Sequence, residues 1–169
     1  RELSPSRLVF SSWGLREGLL YGRLDARTRA ADPMLTGVCA FTAGIGVAPE
    51  TGAMVAGWTA GAVADSAGTD ENLRLAACLL ALAAMRSEPN FRAEEATDWA
   101  LRKRWIGIDA RDRAMLAGAA LGNSGITAPP GELARLAPEA DLRRATGWGL
   151  AVRLCRKLTG ATAGALAQT

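Results

Sequence analysis

Residues 73–85 read Leu-Arg-Leu-Ala-Ala-Cys-Leu-Leu-Ala-Leu-Ala-Ala-Met, apolar nearly all round. A helix without a polar face needs neighbours on every side. The segment therefore predicts a central helix wrapped by others. The longest apolar stretches, residues 75–85 and 114–121, are too short to span a bilayer. Aromatics are only 5% of the 169 residues, so Ala, Leu and Val must fill the core. Small aliphatic side chains favour close-packed helices over a sandwich of strands. The length fits one domain, or one domain plus part of another.

Punctuation sets the remaining helices. Ser11 or Ser12 can cap a helix running to about Leu24, with Leu15, Leu19 and Gly22 on one face. Asp32-Pro33 starts another: the carboxylate caps and proline takes the first helical position. Gly44-Ile45-Gly46 ends it. Pro49 opens a helix to about Ser66. Gly68-Thr69-Asp70-Glu71 is a break and a new cap before the central segment. Ser87-Glu88-Pro89-Asn90 is a turn, followed by an amphipathic helix over residues 91–105 that Gly107 closes. Asp109 caps residues 110–121, a short helix spans about 132–136, and Pro138 starts a last long helix stopped by Gly160. Leu142, Ala145, Gly149 and Val152 form its apolar stripe. Residues 161–169 have little to anchor them and are expected to fray.

Residues 1–11 differ. Leu8-Val9-Phe10-Ser11 suits one buried strand. A lone strand leaves its backbone groups unpaired, so its partners are expected in another domain, another subunit or a segment preceding Arg1.

The absence of histidine excludes Ser-His-Asp triads, Cys-His pairs, two-His metal sites and a His general base within the chain. Cys39, Cys78 and Cys155 are far apart in apolar runs, with no metal-binding spacing; they read as buried thiols in a reducing cytoplasm. No GxxxxGK[ST] loop occurs, and Gly44-Ile45-Gly46 lacks the third glycine of a dinucleotide fingerprint. The acidic pairs Asp70/Glu71, Glu94/Glu95 and Asp109/Asp112 all fall at helix starts, where the dipole alone favours them. The five tryptophans fit core or interface packing. Small residues at Gly57, Ala60, Gly61, Gly147 and Gly149 permit tight helix packing or a dimer seam.

Of 20 basic residues 18 are Arg, and the net charge is +3. Such a balance permits an anionic partner without demanding one, and Arg richness also follows from a GC-rich genome. Two places could meet an anion. The junction of strand and helix at Ser11-Ser12 leaves free N–H groups. Arg153, Arg156 and Lys157 share a helix face; they read either as a solvated face that complements the dipole or as a polyanion track. No nucleic-acid recognition motif accompanies them.

The segment Leu8-Val9-Phe10-Ser11-Ser12-Trp13-Gly14-Leu15-Arg16-Glu17-Gly18-Leu19-Leu20-Tyr21 resembles the stretch that closes the phosphatase module of the exopolyphosphatase/guanosine pentaphosphate phosphohydrolase (Ppx/GppA) family. Residues 73–80 and Glu88-Pro89-Asn90-Phe91-Arg92-Ala93-Glu94 resemble that family's C-terminal helical domain. Residues 107–115 and 150–160 match more loosely. The resemblance implies an actin-like core that hydrolyses terminal phosphates with Mg²⁺, followed by an HD-like helical domain. Its hydrolytic residues would lie upstream of this chain. Arg16 would face the phosphatase cleft or bridge core and helical domain. Where many relatives carry Asp-Ile-Gly-Trp and a His before the proline, this chain has Leu82-Ala83-Ala84-Met85 and Glu88-Pro89. Without His, an HD-type metal site is excluded.

The resulting expectation is an all-α, HD-domain-like bundle with one N-terminal strand left from the core. Residues 1–28 would be the core's tail, 29–160 the helical domain and 161–169 a frayed end. The chain would be inactive alone and hold no cofactor or metal. It would belong to a cytoplasmic, homodimeric hydrolase acting on polyphosphate or guanosine pentaphosphate, with no membrane and no specific nucleic acid. Ser11, Ser12, Arg16, Arg153, Arg156 and Lys157 would contact the polyanion. The alternative is a helical interaction module with no polyanion role.

Overall fold

The structure, a computed structural model, describes residues 14–62 and 70–166. The strand expected at residues 8–11, with Ser11, Ser12 and Trp13, lies outside them. The described residues are all-α. They divide between Ala31 and Asp32 into two units.

In the first unit, α1 spans Leu15–Gly22 and α2 spans Ala26–Ala30. Helix α1 stops at Gly22, close to the expected end at about Leu24. Helix α2 is not among the elements expected from the sequence; Asp25 starts it by accepting from the Thr28 N–H and hydroxyl. Gly14 caps α1, and its N–H donates to Glu17 Oε2 at 2.8 Å. Tyr21 Oη donates to the Arg29 carbonyl, tying the two helices together.

The second unit is a helical bundle. Its helices are α3 (Pro33–Gly44), α4 (Pro49–Trp58), α5 (Glu71–Ala84), α6 (Arg92–Arg102), α7 (Ala110–Ser124), α8 (Glu139–Thr159) and α9 (Ala163–Leu166). A 3-10 turn, Leu133–Arg135, precedes α8. The Asp32 carboxylate caps α3 at the Leu35 N–H, 2.9 Å, and Asp109 with Asp112 forms a capping box on α7. Helix α5 is the centre: every residue from Ala76 to Ala84 is buried. The helix from Pro49 stops at Trp58, short of Ser66, as the Thr59 hydroxyl bonds back to the Val55 and Ala56 carbonyls. Helix α6 stops at Arg102. Trp105 lies beyond it, buried, with its indole N–H on the Trp99 carbonyl.

Small residues let these helices approach closely. A Cβ on Gly149 of α8 would run into the Ala119 carbonyl of α7, and one on Gly122 would meet the Thr146 backbone. Gly149 thus serves packing within the unit. Gly52 likewise makes room for Leu79, which is fully buried. Burying a leucine of this kind contributes roughly 1.5–3 kcal/mol. Residues 161–166 do not simply trail away: α9 forms and Leu166 is buried in the core. Among the described residues no single helix is long and apolar enough to cross a membrane.

Candidate anion-binding site

Two groups of arginines shape the second unit. The first gathers where α5, α7 and α8 begin. Asp70 stands at the N-cap of α5, yet its carboxylate turns away from the helix end. Arg111 grips it with both Nη atoms, at 3.2 and 3.1 Å, and reaches Asp141 with Nε at 2.7 Å. Arg144 bonds the same two carboxylates. The hydrogen bond from Arg111 holds the Asp141 carboxyl below the usual carboxylate range. Asp70 and Asp141 raise the Arg111 guanidinium in return. Arg74, buried on α5, pairs with Glu71 and donates to the Ala56 carbonyl at 2.7 Å, closing the end of α4.

The second group lies where α5 ends, α6 begins and α7 and α8 finish. Pro89 follows the close of α5, and the turn brings Arg92 back beneath it. Arg92 Nε and Nη2 donate to the Ser87 and Met85 carbonyls, at 3.0 and 3.3 Å. From α8, Arg153 Nη1 donates to the Asn123 carbonyl at 3.2 Å. Gly125 lies under that guanidinium with φ +91°, so it is a glycine by conformation and by space. Arg156 Nη1 donates to Asn123 Oδ1 at 2.6 Å. Asn123 is buried, and its Nδ2 donates to the Ala81 carbonyl of α5.

Arg92, Arg153 and Arg156 line one cavity of about 270 Å³, walled by Met85, Pro89 and Ile126. A second cavity of about 490 Å³ shares Arg156 and Met85 and adds Arg86 and Lys157. Neither is lined by a carboxylate among the described residues. Among the described residues, none of these five cations has an acid within ion-pair distance. Burial, then the charges of Arg92 and Arg153, push the Arg156 guanidinium below its ordinary value. An anion in the cavity would relieve that repulsion.

The structure thus brings Arg153, Arg156 and Lys157 to one concave surface. Arg16 belongs to the first unit, is exposed, and pairs with its neighbour Glu17 at 3.7 Å. Sequence reasoning missed Arg92 and Arg86 as members of the site. The signal was the Ser87-Glu88-Pro89-Asn90 turn, which reverses the chain and returns Arg92 to the end of α5. Three further basic residues are engaged elsewhere. Arg102 pairs with Asp98, Arg143 with Glu139, and the Lys103 ammonium sits 4.0 Å over the Phe41 ring.

The acids at the starts of α5, α7 and α8 are poor candidates for Mg²⁺. Asp70, Asp112 and Asp141 each bond a guanidinium, which occupies the oxygens a hard cation needs. Burial pushes the Cys78 thiol up to about 12, so it is protonated at neutral pH. No family model matches the chain, and no curated protein matches it significantly.

Proposed function

We propose that the second unit binds polyphosphate, or the phosphate groups of guanosine pentaphosphate, as the helical C-terminal portion of a Ppx/GppA-type phosphoanhydride hydrolase. One observation carries this reading: three guanidiniums from two helices converge on one cavity that, among the described residues, no carboxylate lines. Carbonyl and amide oxygens orient them and leave their charge uncompensated. Arginine forks match phosphate oxygens in two-point fashion. The family assignment rests on the GLREGLLY stretch and residues 88–94. Under it, hydrolysis and Mg²⁺ belong to an actin-like core, and this chain supplies grip without chemistry. The parent enzyme would be cytoplasmic and dimeric.

Salt titration of polyphosphate binding tests the proposal. Affinity is expected to fall steeply as salt rises, because phosphate contacts release counterions, and Arg153→Ala with Arg156→Ala is expected to abolish most of it. Binding that ignores both salt and these substitutions would refute the reading. Joining the chain to its upstream core should restore phosphate release.

A second reading, a helical interaction module, draws on a different face. Leu150, Leu154 and Leu158 follow one another along α8 and are all exposed. A self-association seam there would resist salt, in contrast to phosphate contacts.

A further inference from the structure

The charges of the basic surface are lumped, not evenly spread. Three guanidiniums meet in the smaller cavity, while the neighbouring one adds Arg86 and Lys157 beyond the shared Arg156. A uniform track along the bundle would need further cations at regular steps. Three arginines elsewhere on the bundle face acids instead: Arg143 pairs with Glu139, Arg144 with Asp70 and Asp141, and Arg102 with Asp98. A linear phosphoanhydride chain has the matching asymmetry. Its terminal phosphoryl carries a second ionisable oxygen with a pKa of about 6, like that of other phosphate monoesters; each internal phosphoryl has only one.

We propose that the Arg92–Arg153–Arg156 cavity is an end grip: it holds the terminal phosphoryl of a linear phosphoanhydride chain, and the next phosphoryls pass Arg156 toward Lys157 and Arg86. This rests on the polyphosphate reading above and narrows it from a track to a terminus. Each guanidinium has five N–H donors, and the bonds to protein oxygens take two from Arg92 and one each from Arg153 and Arg156. The remaining donors suffice for all three oxygens of a terminal group. Pro89, Ala93 and Ile126 line the smaller cavity but not the neighbouring one, whereas Met85 and Arg156 are common to both and mark the passage between them.

The test is calorimetric titration of this chain with linear tripolyphosphate, long linear polyphosphates of defined length, and cyclic hexametaphosphate. The ring carries much charge but has no terminus. Tripolyphosphate is expected to bind at least about tenfold tighter than the ring. Long chains are expected to saturate at one protein per chain end, whatever their length. Arg92→Gln should weaken tripolyphosphate by about tenfold or more. Arg153→Lys, which keeps charge but loses the fork, should give a smaller loss at an unchanged melting temperature. Ring and linear chain binding equally, or saturation rising with chain length, would overturn the end grip while leaving polyphosphate binding intact. No binding to a linear chain of any length would instead overturn the underlying reading. Weaker binding below about pH 6, where the terminal group takes up a proton, would support the end grip; pH-independent affinity from 5 to 8 would count against it.

Discussion

The two arginine groups of the second unit use the same side chain for opposite ends. Around Asp70, guanidiniums and carboxylates from three helix starts satisfy one another. Around Asn123, guanidiniums are held by carbonyl and amide oxygens, which fix their position but not their charge. The first arrangement locks helices together. The second leaves positive charge stored at a concave surface. Between these two groups, what separates a structural arginine from a binding one is whether its acceptor carries a charge.

Substitutions break this comparison with graded effects. Asp70→Ala is expected to be the most damaging, costing about 3–5 kcal/mol, because Arg111 and Arg144 are then left sharing Asp141 in a half-buried site. Asp70→Asn should cost less, since it still accepts hydrogen bonds; urea unfolding would rank the two. Gly149→Ala comes next, at about 1–3 kcal/mol, as its Cβ would force α8 off the Ala119 carbonyl.

Acid sensitivity follows from the same cluster. The pKa of Asp141 is lowered by Arg111, so its contribution is fully present above the unfolded carboxylate value, about 4, and is lost as pH falls through the folded one. Asp112 works the other way. Burial, with Asp109 beside it, raises its pKa, so its ionisation disfavours the native state as pH rises. Asp141→Asn should therefore flatten the fall in stability between neutral and strongly acidic pH, read as melting temperature against pH.

Arg156→Met should change stability least, by about 1 kcal/mol, because relief of the guanidinium's burial and of its repulsion by Arg92 and Arg153 partly offsets the loss of the donor to Asn123. Its effect should appear on ligand addition: excess tripolyphosphate raises the melting temperature of the unsubstituted chain but not of this variant. An Arg156→Met penalty as large as that of Asp70→Ala would erase the distinction between the two groups.

Local signals were legible in the sequence. The nearly all-round apolar character of residues 73–85 marks the central helix, and Asp32-Pro33, Asp109 and Gly160 mark helix ends, because caps and stops act within a turn of chain. Asp70 shows where that logic fails. Its position at a helix start predicts a cap, yet two arginines, 41 and 74 residues away, claim the carboxylate. Gly149 similarly fits either a seam between chains or close packing, and only the path of α7 decides. Arg153, Arg156 and Lys157 share a face by helical spacing alone. Arg92 joins them through a chain reversal that periodicity does not encode.

The most direct measurement is an NMR titration of the arginine Nε–Hε signals with linear tripolyphosphate. Those of Arg92, Arg153 and Arg156 are expected to shift together and saturate, while those of Arg111 and Arg144 stay in place. Shifts confined to the Asp70 cluster, or spread evenly over all arginines, would contradict a phosphate site at Asn123.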